Sequence, residues 1–89
     1  MTEGSEERKQ MIHAKVVELA QHLGADASAL KYHEFIPLHA GLDSAAVMEL
    51  VLWYETAFDL DIPDEHLNAD NLGTVDSMAE YIERRAEEH

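Results

Sequence analysis

The chain contains no cysteine, which excludes disulfides and thiolate metal sites. At 89 residues, without a covalent cross-link, it relies on one modest apolar core, and its stability is expected to be marginal. Two prolines and four glycines leave no candidate interdomain linker or low-complexity tract, and no repeat is present. No stretch is long and apolar enough to span a bilayer. The first ten residues are polar and hold three glutamates, unlike a secretory leader, so a cytoplasmic location is expected. From Tyr32 through Glu83 there is neither lysine nor arginine.

What is present is acid. Nineteen aspartates and glutamates against six lysines and arginines give a formal net charge of −13. Such a surface repels phosphate backbones, so nucleic acid is not the expected partner. It attracts proteins with basic patches and speeds their encounter.

The apolar pattern is helical throughout, with no strand alternation. Glu3 to about Leu23 reads as a first helix, with Ile12, Val16, Leu19 and Leu23 on one face and Gly24 at its C-terminus. His13 and His22 are expected on its polar side. Residues 1–4 are expected to fray. Ala25 to Asp43 reads as a long irregular connection, because Pro37 interrupts any helix and pushes Ile36 towards an extended conformation. Leu30, Tyr32, Phe35, Ile36, Leu38 and Leu42 are available to pin it to the core, with a short helical turn at Ala27 to Leu30. Ser44 to Phe58 reads as a second helix capped by Asp43, burying Val47, Leu50, Val51, Tyr54 and Phe58. Asp64 to about Asn68 reads as a short helix capped by Asp64. Thr74 to about Glu87 is the last helix, capped by Gly73 or Thr74, with Val75, Met78, Ala79 and Ile82 inward and Tyr81 beside them. The expectation is an all-α single domain over residues 1–89: three main helices, one short one, and a long loop between the first two.

Several chemistries are excluded by spacing. Ser44 lacks the glycine two residues on that a nucleophile elbow needs, since Ala46 stands there. The six histidines, at 13, 22, 33, 39, 66 and 89, show no zinc spacing, and no metal site is expected. A calcium loop starting at Asp59 fails at Pro63 and Asp64, where an oxygen ligand and a glycine are required. No glycine-rich phosphate loop is present, and no catalytic residue is assigned.

One set of residues does point to a function. Gly41, Asp43 and Ser44 form a Gly-x-Asp-Ser turn, followed by Glu49-Leu50, then Phe58 with Ile62-Pro63, then Thr74-Val75, then Tyr81-Ile82. In this order and spacing the chain resembles the acyl carrier protein family. The resemblance implies an all-helical carrier bundle with no catalysis of its own. It also implies a covalent 4′-phosphopantetheine on Ser44, with Asp43 capping the helix and seating the serine for a phosphopantetheinyl transferase. Ala45, Met48, Glu49 and Leu52 fall where the family meets its partners, which are acyl-loading and acyl-processing enzymes with basic docking patches. A monomer is expected. The arm confines a thioester near successive active sites and raises its effective concentration.

The chain also departs from that pattern. Ala45 replaces the usual leucine after the serine, and the preceding loop lacks an acidic run. Trp53, Tyr54 and Phe58 add bulk to the second helix, and Tyr54 suggests a small cargo pocket. A specialised pathway is therefore favoured over standard fatty acid synthesis, with polyketide-type and aminoacyl or peptidyl loading as competitors. An unmodified helical adaptor that only binds partner proteins is the rival from another class.

Overall fold

A computed structural model describes the backbone of residues 2–87 and the side chains of residues 4–86. The helices are α1 (Thr2–His22), α2 (Ile36–Ala40), α3 (Ser44–Ala57), α4 (Ala69–Leu72) and α5 (Val75–Glu87), with a 3₁₀ turn at Asp64–His66. No strand occurs among the described residues. The all-α bundle with three main helices is as expected. The secondary elements between the main helices differ.

The first helix ends where glycine placed it. Gly24 adopts φ 80°, its amide donates to Gln21 O at 3.0 Å, and the Ala25 amide donates to Ala20 O at 2.9 Å. These paired bonds satisfy carbonyls that a helix end leaves open. Ile12, Val16, Leu19 and Ala20 are buried. Leu23 is exposed instead of closing the stripe, because the chain turns away at Gly24. Of the residues expected to fray, Met1 lies outside the described residues, and α1 begins at Thr2.

The long connection contains a helix that the proline argument missed. Ile36 is not extended: it begins α2, Pro37 lies in the first turn, and Phe35 is the extended residue before it. A proline is tolerated there because first-turn amides have no partner within the helix. Conversely, Ala27 to Leu30 makes only one turn, with the Leu30 amide donating to Ala27 O at 3.0 Å. Leu30, Ile36 and Leu42 are buried as anchors, whereas Phe35 and Leu38 are exposed.

Polar bonds complete the attachment of the connection. The Ile36 amide donates to Gly73 O at 2.8 Å, and the Asp76 amide donates to Tyr32 O at 3.0 Å. His13 is not a solvent-facing residue of α1. Its Nε2 donates to Leu30 O at 2.9 Å, and its ring packs 5.7 Å from that of Tyr32. Helical periodicity puts His13 on the polar side of α1 but does not reveal what a loop lays over that position.

The second main helix buries Ala46, Leu50 and Tyr54, with Val47, Val51 and Phe58 half-buried. Asp64 does not cap a helix but opens the 3₁₀ turn after Pro63. The short helix lies further on, at α4, where Asn68 Oδ1 caps the Asn71 amide at 3.0 Å. Thr74 caps α5 reciprocally: its Oγ1 accepts from the Ser77 amide at 2.9 Å, and its own amide donates to Ser77 Oγ at 3.1 Å. Gly73 instead closes α4. On α5, Val75, Met78, Ala79 and Tyr81 are buried. Ile82 is only half-buried, so Tyr81 takes the inner place expected for it.

Candidate functional site

Four consecutive residues build the start of α3. Gly41 ends α2 in the left-handed region, φ 71°, a conformation that glycine adopts without penalty. The turn drives Leu42 into the core, where it is 7% exposed. Asp43 then stands in extended conformation, and its Oδ1 accepts the Ala46 amide at 2.9 Å. Ser44 follows as the first residue of α3 and is exposed. The anchor and the cap together fix the serine's backbone while leaving its hydroxyl in solvent.

Beside Ser44 opens a groove of about 500 Å³, within the range of small-molecule pockets. Asp43 and Ser44 are among its lining residues, with Val47, Leu50 and Val51 of α3. Phe35, Ile36 and Pro37 contribute from around α2, Leu67, Asn68, Ala69, Leu72 and Gly73 from around α4, and Met78 from α5. Tyr54 does not line it. It fills the core with 0% exposure, so a small pocket does not follow from its bulk.

The residues expected to face partners are all on the surface. Ala45, Met48, Glu49 and Leu52 are exposed, and their spacing places them on one side of α3. Met48 and Leu52 are 60% and 56% exposed, so the long connection does not cover them. Sequence reasoning missed Leu38, which on α2 is 73% exposed, the highest value among the described large apolar residues. Its signal was the proline at position 37, which marks a helix start as readily as a helix break.

Among the described residues the Ser44 hydroxyl has no hydrogen-bond partner. His39 Nδ1 instead lies 3.5 Å from Glu34 Oε2. The Lys31 amide donates to Glu34 Oε1 at 2.7 Å and holds that carboxyl below its ordinary range. No group of side chains among the described residues is placed to hold a metal ion; His89 lies outside them.

An exposed hydroxyl at a helix N-terminus, opening on an apolar groove, suits an anion linked to the serine and apolar matter alongside. The family described as the phosphopantetheine attachment site matches residues 14–82. The chain belongs to the acyl carrier protein family. It is similar to an acyl carrier protein of Bdellovibrio bacteriovorus, 39% identical over 75 residues, covering 83% of this chain and 94% of that one. A Clostridium acetobutylicum acyl carrier protein is 33% identical over 88% of this chain and 100% of its own length. One from an Exiguobacterium species is 37% identical over 86% and 96%. No solved structure gives a significant match.

Membership makes this chain a carrier and not an enzyme, and makes phosphopantetheine its prosthetic group. It also implies modifying and acyl-processing enzymes as partners. No helix of the carrier among the described residues is long and apolar enough to cross a membrane.

Proposed function

We propose that Ser44 carries the 4′-phosphopantetheine arm, and that this carrier holds acyl groups as thioesters for the enzymes of a specialised biosynthetic pathway. The observation that carries the reading is the position of Ser44: exposed, first in α3, and lining a mainly apolar groove. The bound arm would supply a terminal thiol for thioester formation. The chain's own residues do the rest. Asp43 holds the first turn through Ala46 and so fixes the direction of the serine. The N-terminal end of α3 favours the negative phosphodiester. Val47, Leu50 and Val51 offer apolar surface to whatever the arm bears.

Partner enzymes dock on the side of α3 that carries Ala45, Met48, Glu49 and Leu52, and Leu38 of α2 is a further exposed apolar residue. Charge supports a basic partner, since Lys31 and Arg84 bracket a stretch with acids and no basic residue other than histidine. The specialised pathway is supported by Ala45 and by the aromatic side chains of α3, where Trp53 packs edge-on against Phe58 at 5.8 Å.

Incubation with coenzyme A and a broad-specificity phosphopantetheinyl transferase, followed by intact and peptide mass spectrometry, tests the reading. A gain of one phosphopantetheine is expected on the Ser44 peptide, and none on Ser44→Ala. No gain with a second transferase as well, on a chain shown to be helical by circular dichroism, would overturn it in favour of the unmodified adaptor. Charging of the holo form by an aminoacyl-activating enzyme, and not by an acyl-loading one, would replace the acyl cargo with an aminoacyl one.

A further inference from the structure

The far wall of the groove has little hold on the core. Ile62 and Gly73 are buried, but no residue from 63 to 72 is. Leu72 is the apolar anchor of this stretch, half-buried against the core. Leu67, Asn68, Ala69, Leu72 and Gly73 nevertheless line the groove beside Ser44. A wall with so little buried apolar surface belongs to the least stable part of a fold unless other contacts hold it.

Those contacts come from one face of α5. Tyr81, Arg84 and Arg85 stand at i, i+3 and i+4, so they project to the same side. The Tyr81 hydroxyl shares a hydrogen with His66 Nδ1 at 2.8 Å, and the two rings meet edge-on at 5.6 Å. Arg84 Nη2 donates to Asn71 Oδ1 at 2.9 Å, and Asn71 Nδ2 donates to His66 O at 3.1 Å. Arg85 Nη2 donates to Asp61 O at 3.1 Å, just before the stretch begins. Both guanidinium groups lie within 6 Å of the Tyr81 ring centre, at 5.8 and 5.9 Å. In a protein of net charge −13, the only two arginines after Arg8 are both used here.

We propose that Tyr81, Arg84 and Arg85 form a polar latch that positions the 63–72 wall and thereby sets the length of cargo the groove admits. These are positioning residues, acting through His66, Asn71 and Asp61 on Leu67 to Gly73. The cargo half of this inference rests on the carrier reading of Ser44; the latch itself does not. With the latch made, the groove keeps the width seen here. With it broken, the wall is held only by Leu72 and by its two buried flanks, Ile62 and Gly73.

Hydrogen exchange at individual amides of the apo protein, followed by NMR, tests the latch without any arm. The amides of Asn71, Leu72 and Gly73 bond to Asn68 Oδ1, Asn68 O and Ala69 O. In the double variant Arg84→Met, Tyr81→Phe they should exchange roughly ten- to thirtyfold faster. Amides in the middle of α1 and α3 should change by no more than about twofold. Unchanged exchange in the wall, or equal acceleration throughout the core, would overturn the latch. Arg84→Lys keeps a donor and should fall between wild type and Arg84→Met; it also serves if the double variant does not fold, and wild-type rates in both single variants would equally overturn the proposal.

The second arm loads the holo protein with saturated acyl groups of increasing length and measures thermal stabilisation. The latch variant should reach its maximum at a longer chain than wild type. The same optimum in both would overturn the role in cargo length. Failure to accept the arm at all would count against Ser44 as the attachment site and leave the exchange result to decide the latch.

Discussion

Tyr54 on α3 donates its hydroxyl hydrogen to the main-chain carbonyl of Met78 on α5, across 2.7 Å inside the core. Met78 also lines the groove, so the bond ties the helix that begins at Ser44 to a residue of the groove's lining on α5. Burial pushes the phenol well above its ordinary pKa of 10.0, which keeps it a neutral donor. Tyr54→Phe should cost about 1 kcal/mol of stability, the net worth of one buried hydrogen bond, measured by urea denaturation. The sign of the pH effect follows from the raised pKa. The folded protein holds the proton more tightly than the unfolded chain, so this contribution is complete below pH 10 and is lost as pH rises above it. Wild type should therefore lose stability between about pH 10 and 11 more steeply than Tyr54→Phe; equal slopes would contradict the assignment.

Asp43 has two separable tasks. Asp43→Ala removes the cap on Ala46 and should destabilise the fold by about 1 kcal/mol. Asp43→Asn keeps a capping oxygen and should stay within a few tenths of wild type. If the carboxylate also seats Ser44 for the transferase, both variants are modified more slowly, while only the alanine variant loses stability. Parallel denaturation and modification rates check this.

Gly73 is packed too closely for any side chain. A Cβ there would stand 2.5 Å from Ala69 O and 3.0 Å from the Phe35 ring. The ring can shift because Phe35 is exposed, but the carbonyl belongs to α4. Gly73→Ala should cost about 1–3 kcal/mol through overpacking and displace Phe35 from the groove edge. Chemical denaturation and the Phe35 ring resonances report the two effects.

Docking should divide into a salt-sensitive and a salt-insensitive part. Binding to a partner enzyme is expected to weaken as salt rises, because exposed charges are screened within about 10 Å at 0.1 M. Glu49→Gln should reduce the salt slope, with a modest loss of affinity at low salt. Met48→Ala and Leu52→Ala should lower affinity by about 1 kcal/mol or more each if they anchor the contact, with the slope unchanged. Titrations at several salt concentrations separate the two contributions.

Much of the site was legible in the chain because its parts are local. Gly41, Leu42, Asp43 and Ser44 are neighbours, and turn, anchor, cap and exposed hydroxyl follow from residue type and adjacency. The same holds for the glycine end of α1 and the threonine cap of α5. Misreadings occurred where a residue's state depends on something distant. Pro37 reads as a breaker in the chain, whereas its place in a first turn makes it a starter. His13 reads onto the polar side of α1, and only the fold shows that Leu30 and Tyr32 lie against it. Tyr54 was linked to the cargo space by its place on a buried stripe, yet the stripe gives only inwardness, not what lies there.

The sequence by itself determined that the protein is all helical, where its main helices start and stop, that Ser44 opens α3 in an exposed turn, and that the surface repels anions. Each of these follows from periodicity, caps and charge, which act over a few residues or through simple summation. Tertiary structure alone decided that a groove opens beside Ser44, that Leu38, Met48 and Leu52 stay uncovered, and that α5 grips the 63–72 wall through Tyr81, Arg84 and Arg85. Those outcomes depend on how far apart helices settle and which side chains meet between them. The packing of the whole core sets those distances, and no short stretch of the chain encodes them.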